Sequence, residues 1–250
     1  MPAQPTRDPH FIPYPRRQLW RGVLRRSITL AFGLLAKFEV EGRENLPASG
    51  PLLMVANHFS FLDPVALVHV LPYPLEFIGG RQAPNAPALV GWLRNLWGIL
   101  PVSRGGSSRD ALLRAQRFLE QKAVLGIFPE GGSWATVLRP PRPGAALLAA
   151  RSGAPILPIG LEGLTMVFPS ARRGKKSTVT VRIGKPFGPF HADVRDRSSR
   201  EAVDAFGHEI MRRIAELIAP EHRGFYSDDP EVREAAKGTE IYPWSDKVEG

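Results

Sequence analysis

The apolar run Leu52-Leu53-Met54-Val55-Ala56 breaks off at Asn57-His58 and gives way, six residues on, to Asp63-Pro64-Val65-Ala66-Leu67-Val68. The first segment predicts a short buried strand, and the second predicts a helix with Asp63 as N-cap and Pro64 at the first helical position. A strand that feeds a helix through a short turn is the first half of a βαβ unit, so this stretch restricts the chain more than any other. The same rhythm recurs along the sequence. Strands are predicted at Phe38–Gly42, Leu75–Ile78, Ile99–Val102, Val124–Phe128, Pro155–Gly160 and Thr178–Ile183, and helices at Ala86–Trp97, Arg109–Lys122, Ala145–Arg151 and Ser198–Leu217, the last stopped by Pro220. Alternating strands and helices predict the α/β class: a single-domain αβ sandwich around a largely parallel sheet, with functional groups at the carboxyl ends of its strands. The 250 residues, 43% of them hydrophobic, suffice for one such core.

His58 and Glu130 both fall at predicted strand ends, and Asp63 faces His58 across the turn. A neutral imidazole takes a proton from a hydroxyl well when its tautomer is fixed and the imidazolium is stabilised, and a carboxylate on the other ring nitrogen does both. The alternative is plainer: Asp63 only caps its helix and His58 is a turn histidine.

Asn57-His58-x-Ser60-x-x-Asp63 resembles the signature N-H-x-S-x-x-D of the glycerolipid acyltransferases. Three further blocks follow in the family's order. Gly98-Ile99-Leu100-Pro101-Val102-Ser103-Arg104 is similar to its glycine-to-arginine block, Phe128-Pro129-Glu130-Gly131 to the start of F-P-E-G-T-R-S, and Ala154-Pro155-Ile156-Leu157-Pro158-Ile159 to its proline-containing strand. The resemblance spans about Pro51 to Gly163. It implies that His58 and Asp63 are the catalytic pair, that Arg104 binds the acceptor's phosphate, and that Glu130 and Gly131 help form the acceptor site. It further implies a fatty acyl group moving from acyl-CoA or acyl carrier protein to a glycerolipid hydroxyl, foremost lysophosphatidate giving phosphatidate, with no bound cofactor or metal. The chain departs from the family at Gly132-Ser133, where the family has Thr-Arg. One phosphate contact is thereby in question, and Arg139 and Arg142 are the nearby candidates to supply the lost charge.

A formal net charge of +9 suggests an anionic partner, whether nucleic acid, phospholipid surface or phosphorylated substrate. No nucleic-acid motif occurs, so no nucleic-acid partner is expected. The absence of cysteine excludes disulfides, thiolate metal sites and a cysteine nucleophile. There is no Walker loop, no H-E-x-x-H and no G-x-S-x-G; Ser60 lies too close to His58 for a usual triad and Ser133 lacks the elbow glycines. His69 reads as a packing or surface residue.

Residues 1–15 form a proline-rich arm without the pattern of a cleavable signal. From Arg16 to Lys37 a basic amphipathic helix is predicted, with Trp20, Val23, Leu24, Ala31, Leu34 and Leu35 on one side and Arg21, Arg25 and Thr29 on the other. Its densest apolar part is about half of the ~20 residues a membrane span needs. The helix therefore either lies in a membrane interface, with its arginines at the headgroups, or packs on its own domain. The expected division is an arm and helix over 1–36, an acyltransferase domain over 37–220 and a loosely held tail over 221–250, acting at the cytoplasmic face of a membrane as a peripheral or monotopic protein. The cluster Arg172-Arg173-Gly174-Lys175-Lys176 is a solvated loop or a contact for lipid headgroups or the phosphates of coenzyme A. Two rivals remain: a membrane-binding module without chemistry, and a thioester hydrolase, which needs no phosphate site and so no Arg104.

Overall fold

The structure, a computed structural model, describes residues 8–80, 88–102, 108–192 and 197–243. Strands β1 (Ala36–Glu41), β2 (Leu52–Ala56), β3 (Leu75–Gly80), β4 (Leu100–Val102), β5 (Val124–Ile127), β6 (Ile156–Glu162) and β7 (Ser177–Ile183) form one seven-stranded sheet in the order β1-β7-β6-β2-β5-β3-β4. The five strands from β6 to β4 are mutually parallel, while β7 runs antiparallel to β6 and pairs in parallel with β1. The expected largely parallel α/β sheet is present. Helices α1 (Gln18–Leu35), α2 (Asp63–Val70), α3 (Ala88–Trp97), α4 (Ser108–Glu120), α5 (Gly144–Ser152), α6 (Val167–Ala171), α7 (Arg197–Ala215) and α8 (Pro230–Ala236) accompany it.

All five residues of β2 are buried, and they divide by the two-residue period of a strand. Leu52, Met54 and Ala56 belong to a core with Ala66, Leu67 and Val70 of α2, whereas Leu53 and Val55 join Ala145, Leu148 and Ala149 of α5 and Ile210 and Ile214 of α7. Both faces are thus covered, as a central parallel strand requires. Each fully buried aliphatic side chain contributes roughly 1.5–3 kcal/mol. The carboxyl end of β2 is accordingly among the best-supported points of the molecule, and His58 stands two residues beyond it.

Helix α1 differs from its sequence reading in which side faces in. Arg21 is 5% exposed, while Trp20 is 67%, Val23 53%, Leu30 69% and Leu34 69% exposed. The reason is a buried charge on β3. Glu76 is fully buried and binds Arg21 at 2.6 and 2.9 Å and Arg16 at 2.7 and 3.0 Å. The arginines also cap neighbouring helices, whose last carbonyls have no partner within the helix. Arg17 donates to the carbonyls of Asn95 and Leu96 at 2.9 and 3.1 Å, Arg21 to Trp97 at 2.9 and 3.1 Å, and Arg25 to Leu71. Arg16, Arg17, Arg21 and Arg25 therefore bond to the protein itself, and Arg26 is exposed. The inner side of the helix still contributes apolar contact through Phe32, Leu24, Ile28 and Leu35.

The arm before α1 is held against α4 and its end. Tyr14 N donates to Gln121 Oε1 at 3.0 Å, Gln121 Nε2 donates to the Ile12 carbonyl at 2.9 Å, and Arg117 pairs with Asp8 at 2.6 Å. Within the segment 221–250, read from the sequence as a loosely held tail, the described residues 221–243 are packed. Asp229 caps α8 by accepting from Glu231 N at 2.8 Å, with Pro230 at the first helical position, and Gly224 and Ala236 are buried. The charged composition of this segment masked an Asp-Pro helix start.

Candidate active site

Asn57 fixes where the loop after β2 begins. Its fully buried side chain donates to the Leu161 carbonyl at 2.8 Å and accepts from Leu161 N at 2.7 Å, extending the β2–β6 pairing by one side-chain rung. From there the loop turns so that His58 Nδ1 lies 2.8 Å from Asp63 Oδ2. The same oxygen accepts from Ser60 N at 2.8 Å. Ser60 Oγ accepts from Leu62 N at 3.2 Å, which braces the turn.

Here the structure corrects one reading. Asp63 is the first residue of α2, not its N-cap; the cap position is Leu62, which makes no side-chain cap bond. The carboxylate points back into the loop and holds His58 and Ser60, leaving the N–H groups of the helix to other partners. That orientation favours the dyad over the capping alternative. Burial pushes the Asp63 carboxyl above the usual carboxylate range, and the bond to His58 works in the other direction. With Asp63 ionised, Nδ1 of His58 carries the ring proton and Nε2 is the free base. His58 is 16% exposed, and its ring stacks on Phe128 with centroids 4.2 Å apart, so the imidazole is fixed by a bond at one nitrogen and a flat apolar support.

Glu130 enters from the end of β5. Its Oε1 accepts from His58 N at 2.7 Å and its Oε2 from Arg139 Nε at 3.0 Å. Burial raises its pKa to about 7 against the pull of Arg139 and the His58 N–H. Both oxygens accept from donors, and Arg139 is the cation that favours the ionised form. Arg139 is 1% exposed and also donates to the Gly132 carbonyl; its guanidinium lies 3.8 Å from the Trp134 ring centroid. This role for Arg139 was not legible in the sequence, where only its charge and nearness to Glu130 marked it. Gly131 follows with φ +77°, the left-handed region that glycine adopts at little cost, and its N–H donates to the Phe128 carbonyl at 3.0 Å.

His58, Asp63, Glu130 and Gly131 are thus brought together from two strand ends. Arg104 lies outside the described residues; β4 ends just before it, at Val102, parallel to β3. The C-terminal segment covers the loop that carries Arg139. Leu138 N donates to the His222 carbonyl at 2.9 Å, Phe225 N to the Leu138 carbonyl at 3.1 Å, and Trp134 Nε1 to the Thr239 carbonyl at 2.7 Å. On the other side of the site, Glu162 at the end of β6 accepts from His222 Nδ1 and Ala219 N, each at 3.0 Å, and from Arg182 Nη1 at 2.5 Å. Among the described residues no group of three or more histidine, aspartate or glutamate side chains is arranged to hold a metal ion.

An oriented imidazole at the carboxyl ends of a parallel α/β sheet is chemically able to take a proton from a hydroxyl. The family described as Acyltransferase matches residues 37–162, half of the chain, and the chain belongs to it. Among curated relatives it is similar to the chloroplastic 1-acyl-sn-glycerol-3-phosphate acyltransferases of Arabidopsis thaliana, 32% identical over 77% of this chain and 55% of the relative, and of Brassica napus, 33% identical over 75% and 56%. The chain spans a little over half the length of these relatives. The crystal structure of the 1-acyl-sn-glycerophosphate acyltransferase PlsC from Thermotoga maritima shares the fold, with a TM-score of 0.53 and 22% identity over 80% of this chain and 85% of that one.

Proposed function

We propose that the protein is a membrane-surface O-acyltransferase that moves a fatty acyl group from a thioester to the free hydroxyl of lysophosphatidate, giving phosphatidate. The observation that carries this reading is the 2.8 Å bond from His58 Nδ1 to Asp63, which leaves Nε2 as the base. His58 takes the proton of the acceptor hydroxyl as its oxygen attacks the thioester carbonyl; the carbon–sulfur bond then breaks, and the thiolate leaves and takes up the proton. Asp63 stabilises the imidazolium formed in between. No acyl-enzyme is needed. The acceptor is the one for which the curated relatives are named, and acyl-CoA and acyl carrier protein are both suitable donors. Arg104, with Glu130 and Gly131, is assigned to the acceptor site. The test is mass spectrometry of the products from a panel of lysolipids, monoacylglycerol and acyl thioesters. Phosphatidate as the main product supports the reading; free fatty acid alone points to hydrolysis, and no product to the non-catalytic module.

The membrane part of the proposal rests on the outward side of α1. Trp20, Val23, Leu30 and Leu34 form an exposed apolar stripe, and α1 packs beside α3 and α6, which add exposed Trp92 and Phe168. No helix among the described residues is long and apolar enough to cross a membrane. A stripe of this kind suits a helix lying in the interface, at the cytoplasmic face where thioester donors are found. Because Arg16, Arg17, Arg21 and Arg25 bond inward, α1 binds through its apolar side. Replacing Trp20, Leu30 and Leu34 together with serine is expected to lower partitioning onto liposomes at least about tenfold, since burying one large apolar side chain contributes up to roughly 1.5–3 kcal/mol. Activity on detergent-dispersed substrate should persist. Flotation of the triple variant with anionic liposomes at parental levels would show that another surface anchors the protein.

A further inference from the structure

Arg139 and Arg142 are the two arginines close behind the Gly132-Ser133 departure, and the structure separates them. Arg139 is buried and matched by Glu130. It has no exposed face to offer a substrate. Arg142 is exposed, and among the described residues its guanidinium makes no hydrogen bond or ion pair. Its backbone N donates to the Pro129 carbonyl at 2.8 Å, which fixes the start of the side chain beside the Glu130 turn. The side chain then lies across Gly131. A Cβ added at Gly131 would stand 2.6 Å from Arg142 Cδ and 2.8 Å from Nε, so the absent side chain is what makes room for the arginine. Arg139 has its pKa lowered by burial and also by the charge of Arg142, which places the two cations within electrostatic reach of each other. Glu130 neutralises the first, and His58 is bonded to Asp63. Among the described residues, the second cation has no counter-charge at the lip of the site.

We infer that Arg142 binds a phosphate monoester of the substrate and restores from a different position the contact that Gly132-Ser133 leaves unmade. The inference rests on the reading that the acceptor is phosphorylated. A guanidinium held over a glycine is suited to that ligand, because its planar fork matches phosphate oxygens and the bare backbone allows close approach. The acceptor's phosphate is the nearer assignment, since Gly131 and Glu130 form the acceptor side of the site; the phosphates of a coenzyme A donor have the same chemistry.

Initial rates for the full chain and for Arg142→Gln and Arg142→Lys separate these sources when lysophosphatidate, the neutral monoacylglycerol of the same chain length and acyl-CoA are varied in turn. Loss of a charge-assisted pair is expected to raise KM for lysophosphatidate roughly 10- to 100-fold in Arg142→Gln, with kcat changed only a few-fold. Rates with monoacylglycerol should not change, the lysine variant should recover part of the loss, and glycerol 3-phosphate should weaken as a competitive inhibitor by the same factor. An unchanged KM for lysophosphatidate, in an enzyme that prefers it to monoacylglycerol, overturns the role of Arg142 and leaves the proposed function standing. A parent enzyme that does not distinguish the two acceptors overturns the phosphorylated-acceptor reading itself. A rise confined to the KM for acyl-CoA overturns the acceptor assignment and gives the phosphate site to the donor. Because Arg142 is exposed, circular dichroism and Tm of both variants should match the parent.

Discussion

His58→Ala is expected to lower kcat by at least about 10²–10⁴-fold, the typical contribution of a positioned general base, with little change in Tm. In the proposed mechanism, removing the imidazole deprives the acceptor hydroxyl of the group that takes its proton, while the backbone N–H that binds Glu130 at 2.7 Å remains in place. Tm should fall by a few degrees at most, because Asp63 loses the His58 bond but keeps the one from Ser60 N, and the lost ring contact is to Phe128. Asp63→Asn is the companion measurement. An asparagine amide keeps the size and can set its oxygen where Oδ2 stands, so the bonds from His58 Nδ1 and Ser60 N survive, but the imidazolium loses its counter-charge. Its rate should fall by orders of magnitude and its Tm by a few degrees. Turnover near the parental level in purified His58→Ala sinks the base assignment. Equal fractional losses of rate and stability in Asp63→Asn would return Asp63 to a structural role.

Much of this site was legible because its parts are local. Asn57 to Asp63 lie in one turn, and the spacing from strand end to helix start fixes their mutual geometry before any tertiary contact is known. The unbroken apolar run of Leu52 to Ala56 likewise predicted a buried strand. What the sequence could not show were the long-range pairings. Glu76 looks like an ordinary charge in a strand and Arg21 an ordinary charge on a polar helix face, yet together they turn α1 so that its apolar stripe points outward. Hydrophobic periodicity gives the faces of a helix but not which of them meets the core when a buried carboxylate competes. The same limit hid Arg139. Its partner is nine residues away, and only the fold of the 130–142 loop under the C-terminal segment reveals that it is buried while Arg142 is not.

The pairing of Glu76 also sets the largest stability effect. With Glu76 replaced by alanine, Arg21 is left 5% exposed in the parental geometry without its carboxylate, and Arg16 loses the same partner. Removing one member of a buried pair typically costs about 3–5 kcal/mol, because the remaining charge is desolvated and unmatched. For a chain of this size each kcal/mol moves Tm by about 2–4 °C, so a fall of roughly 6–20 °C is expected. The carbonyls of Trp97 and Gly98 still accept from these arginines, which keeps the loss from being larger. Replacing Glu76 and Arg21 together with methionine should recover most of the stability, since a well-packed apolar pair can equal a buried ion pair. The two variants then separate two properties of α1. If Glu76 orients the helix, Glu76→Ala should also reduce liposome binding, because a helix released from β3 can turn its apolar stripe toward its own core; the double variant, refolded but without the inward charge, should bind no better than the single one. Urea unfolding with a midpoint within error of the parent for Glu76→Ala would show instead that the capping bonds of Arg17 and Arg25 hold α1 without the carboxylate.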